Sequence, residues 1–295
     1  MAGSGSKWQG FWDRGGFWRA ALVAVGYIAI YLGVGRLIGW VFAGSIKAED
    51  PLGDTTTAVL GLVVPTAIGS VVLLAFAWSI GFLPRPLFGP QPVRARWWMW
   101  GAPILVAAAA VFHFLGAPYG RYTPGVVIAL LFVGLFVGFS EEILTRGLGV
   151  SLLRRGGYRE WSVMALSSLL FALLHLTNAF SGQPITTVLI TVVYTFGFGI
   201  SMYLTMRVGG NLVWPMLLHA MTDPSTALAA GGIDESVSTG SNTALLIATV
   251  ATFAYDAFAI VGFIATRGDA EGRADADEPR RAPHDHPASP AVATN

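Results

Sequence analysis

Eight apolar runs of roughly twenty residues recur along this chain, near 17–43, 58–83, 97–117, 124–153, 160–179, 185–206, 211–229 and 243–266. A helix rises 1.5 Å per residue, so a run of that length crosses the ~30 Å hydrocarbon core of a bilayer. Composition agrees with several spans rather than one anchor. Charged residues make up 12% of the chain and the mean hydropathy is +0.61, where soluble domains carry about 25% charged residues. The expected fold is all-α, a polytopic membrane protein of about eight transmembrane helices. Residues 1–266 read as the membrane domain. Residues 267–295, polar and rich in Ala, Pro and Asp, read as a disordered tail. The run from Phe17 to Ala43 has no small-residue cleavage site and is expected to stay as a spanning helix. A net charge of +1 gives no case for a nucleic-acid partner. The chain has no cysteine, which excludes disulfides, iron–sulfur clusters and thiol catalysis.

Charge orients the spans. Lys7, Arg14 and Arg19 precede the first, and Arg85, Arg94 and Arg96 lie between the second and third. Arg154, Arg155, Arg159 and Arg207 lie in later loops on the same side, and Arg267, Arg273, Arg280 and Arg281 follow the last span. The alternate loops hold few basic residues, and the one at 230–242 holds only Asp234 and Glu235. Basic residues stay on the cytoplasmic side. The expectation is a multi-pass protein of the cell membrane with both termini cytoplasmic, surrounded by membrane lipids.

Ionisable residues inside a span are costly and are functional candidates by default. Here they are Arg36, His113, Glu141, Glu142, Arg146, His175, His219, Asp223 and Asp256. Depth sorts them. Glu141 lies roughly 20 Å from Arg154, His175 roughly 22 Å from Glu160, and His219 roughly 18 Å from Arg207. Three helices entered from one face thus bring a Glu and two His to nearly one depth, and a polar cavity in the core is expected there. Glu142 and Arg146 are four apart with the Glu first, the favourable order for a helical ion pair. That pairing leaves Glu141, which points elsewhere, for chemistry. His219 and Asp223 share a face, as do Phe171 and His175. A midplane Glu with two His can activate water, and water attack on a buried peptide bond is intramembrane proteolysis. The second His and the Asp could hold an oxyanion or a metal. His113 reads as a packing residue with its own partner. Arg36 and Asp256 are expected to pair with each other or to face a cavity, or Arg36 to snorkel to the interface.

Three motifs carry a family resemblance: "EEILTR" at 141–146, "FALLH" at 171–175 and "HAMTD" at 219–223. Together, in this order and in spans, they resemble the CPBP family of intramembrane proteases, which includes the CAAX prenyl endopeptidases and bacterial Abi-type proteins. The resemblance covers about 120–230, the expected catalytic core. It implies that Glu141 and His175 activate water. His219 and Asp223 would bind the tetrahedral oxyanion or help hold a metal, and Glu142, Arg146 and Phe171 would support the site. Many family members have Asn where this chain has Asp223. An ionised carboxylate only accepts hydrogen bonds, so Asp223 is protonated, orients His219, or favours a metal. Zinc is the candidate cofactor, with Glu141, His175, His219 and Asp223 as its candidate ligands. A metal-free glutamate mechanism stands beside it. The implied activity is endopeptidase cleavage of a membrane-associated protein or peptide. A proton-coupled transporter and a non-catalytic scaffold or immunity protein of the same fold are the alternatives. The HExxH, GxSxG and intramembrane GxGD signatures of other proteases are missing.

Overall fold

Four of the helices begin where a short side chain supplies the acceptor that a first helical turn needs. The computed structural model describes residues 6–47, 49–231 and 242–266. The tail from residue 267, together with Asp234 and Glu235, lies outside them. Ser6 and Gln9 form a capping box that opens α1 (Lys7–Asp13). Asp54 accepts from the Thr57 N–H at 2.9 Å ahead of α3 (Thr55–Ser79), which also holds its carboxyl below the usual range. Thr123 accepts from the Val126 N–H at 3.3 Å ahead of α5 (Pro124–Arg155). The first residue of α5 is a proline, which costs no hydrogen bond there. Asn242 accepts from the Leu245 N–H at 2.9 Å ahead of α9 (Thr243–Ala265). The remaining helices are α2 (Phe17–Val41), α4 (Trp97–Gly116), α6 (Glu160–Phe180), α7 (Ile185–Gly209) and α8 (Val213–Ala230).

The architecture is all-α, with no strand among the described residues. Among the described residues seven helices are long and apolar enough to cross a membrane. The eighth expected span is α8, an 18-residue helix of about 27 Å, diluted by His219, Asp223 and Pro224. The outer surface suits lipid: Val71, Val193 and Ile264 are 65–75% exposed, which water would penalise. Trp97 and Trp100 are exposed at the start of α4, as an interfacial belt requires. Trp98 turns inward and packs on Phe258.

The short α1 has no counterpart among the expected spans. It lies against the ends of α3 and α5, with the Trp8 indole N–H donating to Ser79 Oγ at 3.1 Å. Asp13 pairs with Arg155, and the Gly16 N–H donates to the Leu152 carbonyl at 2.7 Å.

The core is organised around α5. Its antiparallel partner is α8, and their contact is backbone to backbone. A Cβ on Gly134 would lie 2.5 Å from the Ala220 carbonyl oxygen, and one on Gly138 would lie 2.6 Å from the Ala220 nitrogen. Pro224 sits inside α8 and has no N–H to give to Ala220. That carbonyl therefore faces α5 without a helical partner, at the spot where Gly134 leaves room. Small residues let membrane helices approach in this way. Glu141 lies one turn beyond Gly138, and His219 lies beside Ala220.

Candidate active site

The "EEILTR" segment ends ordinary α-helix. The α-helical hydrogen bonding of α5 runs to Glu142, and Ile143–Gly149 form a π-helical turn. All seven of those residues are buried. Wide turns of this kind are rare and gather at functional sites. Arg146 stands within it, and its Nη1 donates to Glu142 Oε1 at 2.9 Å, both side chains wholly buried. The same nitrogen donates to Thr145 Oγ1 at 2.7 Å, and Nη2 donates to the Gly199 carbonyl at 2.9 Å. The Phe171 ring covers the guanidinium at 4.3 Å, a cation–π contact strengthened by desolvation. The expected i, i+4 pair is therefore present, and it is tied to α7 as well.

Glu142 does more than neutralise Arg146. Its Oε1 also lies 3.0 Å from His219 Nδ1. A carboxylate accepts, so Nδ1 carries a proton directed at Glu142. The other ring nitrogen, Nε2, lies 3.4 Å from Asp223 Oδ1 and 3.9 Å from Glu141 Oε2. Three carboxylates thus stand within 4 Å of one imidazole. For Nε2 to donate to a developing oxyanion while Nδ1 serves Glu142, the ring must hold both protons.

His175 sits where α6 changes character. The α-helix runs to Leu174, and His175–Ser181 tighten into a 3-10 turn that ends at Gly182 with φ 84°. Nδ1 of His175 lies 3.2 Å from the Phe171 carbonyl. A carbonyl only accepts, so Nδ1 bears the proton and Nε2 keeps its lone pair. Phe171 is the hub of the cluster. Its ring centroid lies 5.1 Å from that of His175 and 5.7 Å from that of His219.

Glu141, His175, His219 and Asp223 all line one cavity of about 200 Å³. Glu142 and Arg146 stand behind its wall. The residues that the sequence put at one depth are therefore brought together. The same cavity is walled on one side by Tyr27 and Tyr31 of α2, which no motif marks. One expectation fails. His113 is not a packing residue with a partner: it is 3% exposed, lines the cavity, and makes no hydrogen bond or ion pair among the described residues. Of the alternatives for Arg36 and Asp256, pairing drops out, because Arg36 is exposed on α2 while Asp256 lies against Gly197 of α7.

Nδ1 of His219 is directed at Glu142 and Nδ1 of His175 at a carbonyl, outer contacts that a metal-bound imidazole also makes, so one nitrogen of each ring stays available. Among the described residues, however, no group of three or more His, Cys, Asp or Glu side chains converges to hold a metal ion. The side chains as placed therefore do not form the three-ligand site of a catalytic zinc.

Residues 123–224 match the profile of the family described as Type II CAAX prenyl endopeptidase Rce1-like. No curated protein and no solved structure matches the chain. The matched stretch is roughly a third of the chain and runs from the cap of α5 to Pro224 of α8. It holds all three motifs and every candidate catalytic residue. The chain is thus a multi-pass helical membrane protein. Its residues 123–224 are similar to a protease family, the Rce1-like Type II CAAX prenyl endopeptidases.

Proposed function

We propose that this protein is an intramembrane endopeptidase that hydrolyses a peptide bond of a membrane-associated protein or peptide. The observation that carries the reading is the meeting of Glu141, His175, His219 and Asp223 at one cavity within a bundle of membrane-spanning helices. Glu141 and His175 activate a water molecule there, the lone pair on His175 Nε2 and the Glu141 carboxylate sharing its proton. The water oxygen attacks the scissile carbonyl. His219, doubly protonated and aligned by Glu142, donates from Nε2 to the oxyanion. Asp223 steadies that N–H between turnovers. The proton taken from water passes to the leaving amine. Arg146 and Phe171 fix Glu142 and both imidazoles in place.

The basic loops support a cytoplasmic location for both termini. Residues 1–266 form the membrane domain in the cell membrane, and 267–295 are a cytoplasmic tail. The test is proteolysis by purified protein reconstituted in lipid, compared with Glu141→Gln. That variant keeps size and removes the base, and about a hundredfold loss of cleavage is expected. Equal cleavage by both proteins sinks the assignment. Substrate translocation without any cleavage supports a transporter instead.

A further inference from the structure

The cavity has two chemically different walls. Toward α3 and α5, apart from Glu141 and the self-bonded Thr66, it is lined by Leu62, Leu130, Val133 and Val137. Toward α4, α7 and α9 it is lined by polar side chains, and three of those stand apart. His113, Thr191 and Thr252 are each no more than 3% exposed, and all line the cavity. Thr191 Oγ1 is wholly buried without a partner, and neither His113 nor Thr252 makes a side-chain hydrogen bond among the described residues.

Other threonines lining the cavity, on α7 and α8, behave differently. Thr195, Thr222 and Thr226 return their hydroxyls to carbonyls of their own helices at 2.7–2.8 Å. This is how a hydroxyl in an apolar helix satisfies itself. Thr191 and Thr252 could do the same and do not. Buried polar groups without partners are rare, and each asks for an explanation.

Helix register puts the three at one level. Gly116 of α4 meets Leu245 of α9, and Gly101 meets Phe258, so the two helices run antiparallel. Gly197 of α7 meets Asp256 of α9, while Leu204 meets Gly262, so those two run parallel. On this register His113, Thr191 and Thr252 fall within about 6 Å of depth. They lie beyond Phe198, whose ring is 5.0 Å from that of His219 and 6.1 Å from that of Tyr255.

Charge narrows what could bind. Among the described residues no Lys or Arg lines the cavity, while Asp223 does, and Asp256 lies beside α7. An anion would find no counter-charge but His219, which three carboxylates already surround. Ala109 and Ala110 keep the wall open.

We infer that His113, Thr191 and Thr252 form a specificity subsite for a neutral hydroxyl or carboxamide side chain of the substrate. The residue it takes is Ser, Thr, Asn or Gln, and it lies on one fixed side of the scissile bond. The apolar wall takes the residues on the other side. This rests on the proteolytic reading for the word substrate, but its test reads binding alone.

The probe is a library of synthetic peptides with a constant apolar segment and several randomised positions, offered to the Glu141→Gln protein in lipid discs. Retained peptides are sequenced by mass spectrometry. Ser, Thr, Asn and Gln together should be enriched about tenfold at one position, the scale of a hydrogen-bonded against an unpaired site. Adding Thr191→Val or Thr252→Val keeps shape and removes the hydroxyl, and should bring that enrichment to parity while peptides apolar at that position are still retained. His113→Leu should do the same, and His113→Gln should restore part of it. The two threonines lie on different helices, and thermal melting of each variant confirms that it folds. No positional enrichment in the parent, or enrichment unchanged by both valines, overturns the subsite. Cleavage of the retained peptides by the Glu141 protein is scored separately. Retention without cleavage supports the subsite and sinks the protease reading; cleavage with no positional preference does the reverse.

Discussion

The contact between α5 and α8 is the mechanical basis of the candidate centre, and Gly138→Ala tests it. The added Cβ would lie 2.6 Å from the Ala220 nitrogen, 2.9 Å from the Met216 carbonyl oxygen and 3.0 Å from Ala220 Cα. All three are backbone atoms, so no side chain can swing aside. Restoring an ordinary contact near 3.4 Å requires α8 to move by about 0.8 Å. His219 is the neighbour of Ala220 and moves with it. Its 3.0 Å bond to Glu142 would stretch to about 3.8 Å, which is no longer a hydrogen bond. Overpacking of this kind costs about 1–3 kcal/mol. A misplacement near 1 Å costs up to about a hundredfold in rate. Gly138→Ala should therefore melt several degrees lower and cleave reconstituted peptide at least tenfold more slowly. The matched control is Gly33→Ala on α2, where a Cβ meets nothing within 4 Å. Alanine there should leave activity unchanged and raise stability by up to about 1 kcal/mol. If Gly138→Ala matched the wild type in both melting and cleavage, the close-contact argument would be wrong.

Glu142→Gln should lower stability by roughly 3–5 kcal/mol, because it strands the wholly buried Arg146; thermal melting reads this, and a melt equal to that of Glu141→Gln would contradict it. Asp223→Asn should keep peptide cleavage, since a carboxamide can donate where an ionised carboxylate only accepts; complete loss of cleavage with normal folding would restore Asp223 as an acid or a ligand. The cleavage activity should survive a strong chelator, because the candidate ligands do not converge; activity lost to chelation and recovered with zinc would overturn this. A reporter fused after residue 268 should be active only in its cytoplasmic form, and an external signal there would invert the orientation.

The helices were legible because the bilayer demands length and hydrophobicity, and both are properties of a one-dimensional window. The same rule explains why α8 is the weakest span by composition: it spends positions on His219, Asp223 and Pro224. The Glu142–Arg146 pair was legible because i, i+4 spacing puts two side chains on one helical face. The bond from Glu142 to His219 was not, since it crosses 77 residues of chain and depends on how α5 and α8 rotate. The π turn at Ile143–Gly149 and the 3-10 turn at His175 were illegible for a related reason. No residue type encodes them; packing against α2, α6 and α7 does. His113 was misread because a lone histidine in an apolar run looks the same in sequence whether it finds a partner or faces a cavity. The α1 helix was overlooked because seven residues are too few to register as a span.

That first helix has a bearing on how the molecule is made. Its Gly16 N–H, Asp13 carboxylate and Trp8 indole find their partners on Leu152, Arg155 and Ser79. During synthesis the opening segment leaves the ribosome long before Leu152 and Arg155 exist. Ser79 arrives with the second span, but the contacts to Leu152 and Arg155 can close only once the fourth span has been made. Its docking is therefore a late closure in biogenesis rather than a first step. A fusion partner or truncation at the N-terminus would act as a fault in final assembly, felt through the far end of the helix that carries Glu141.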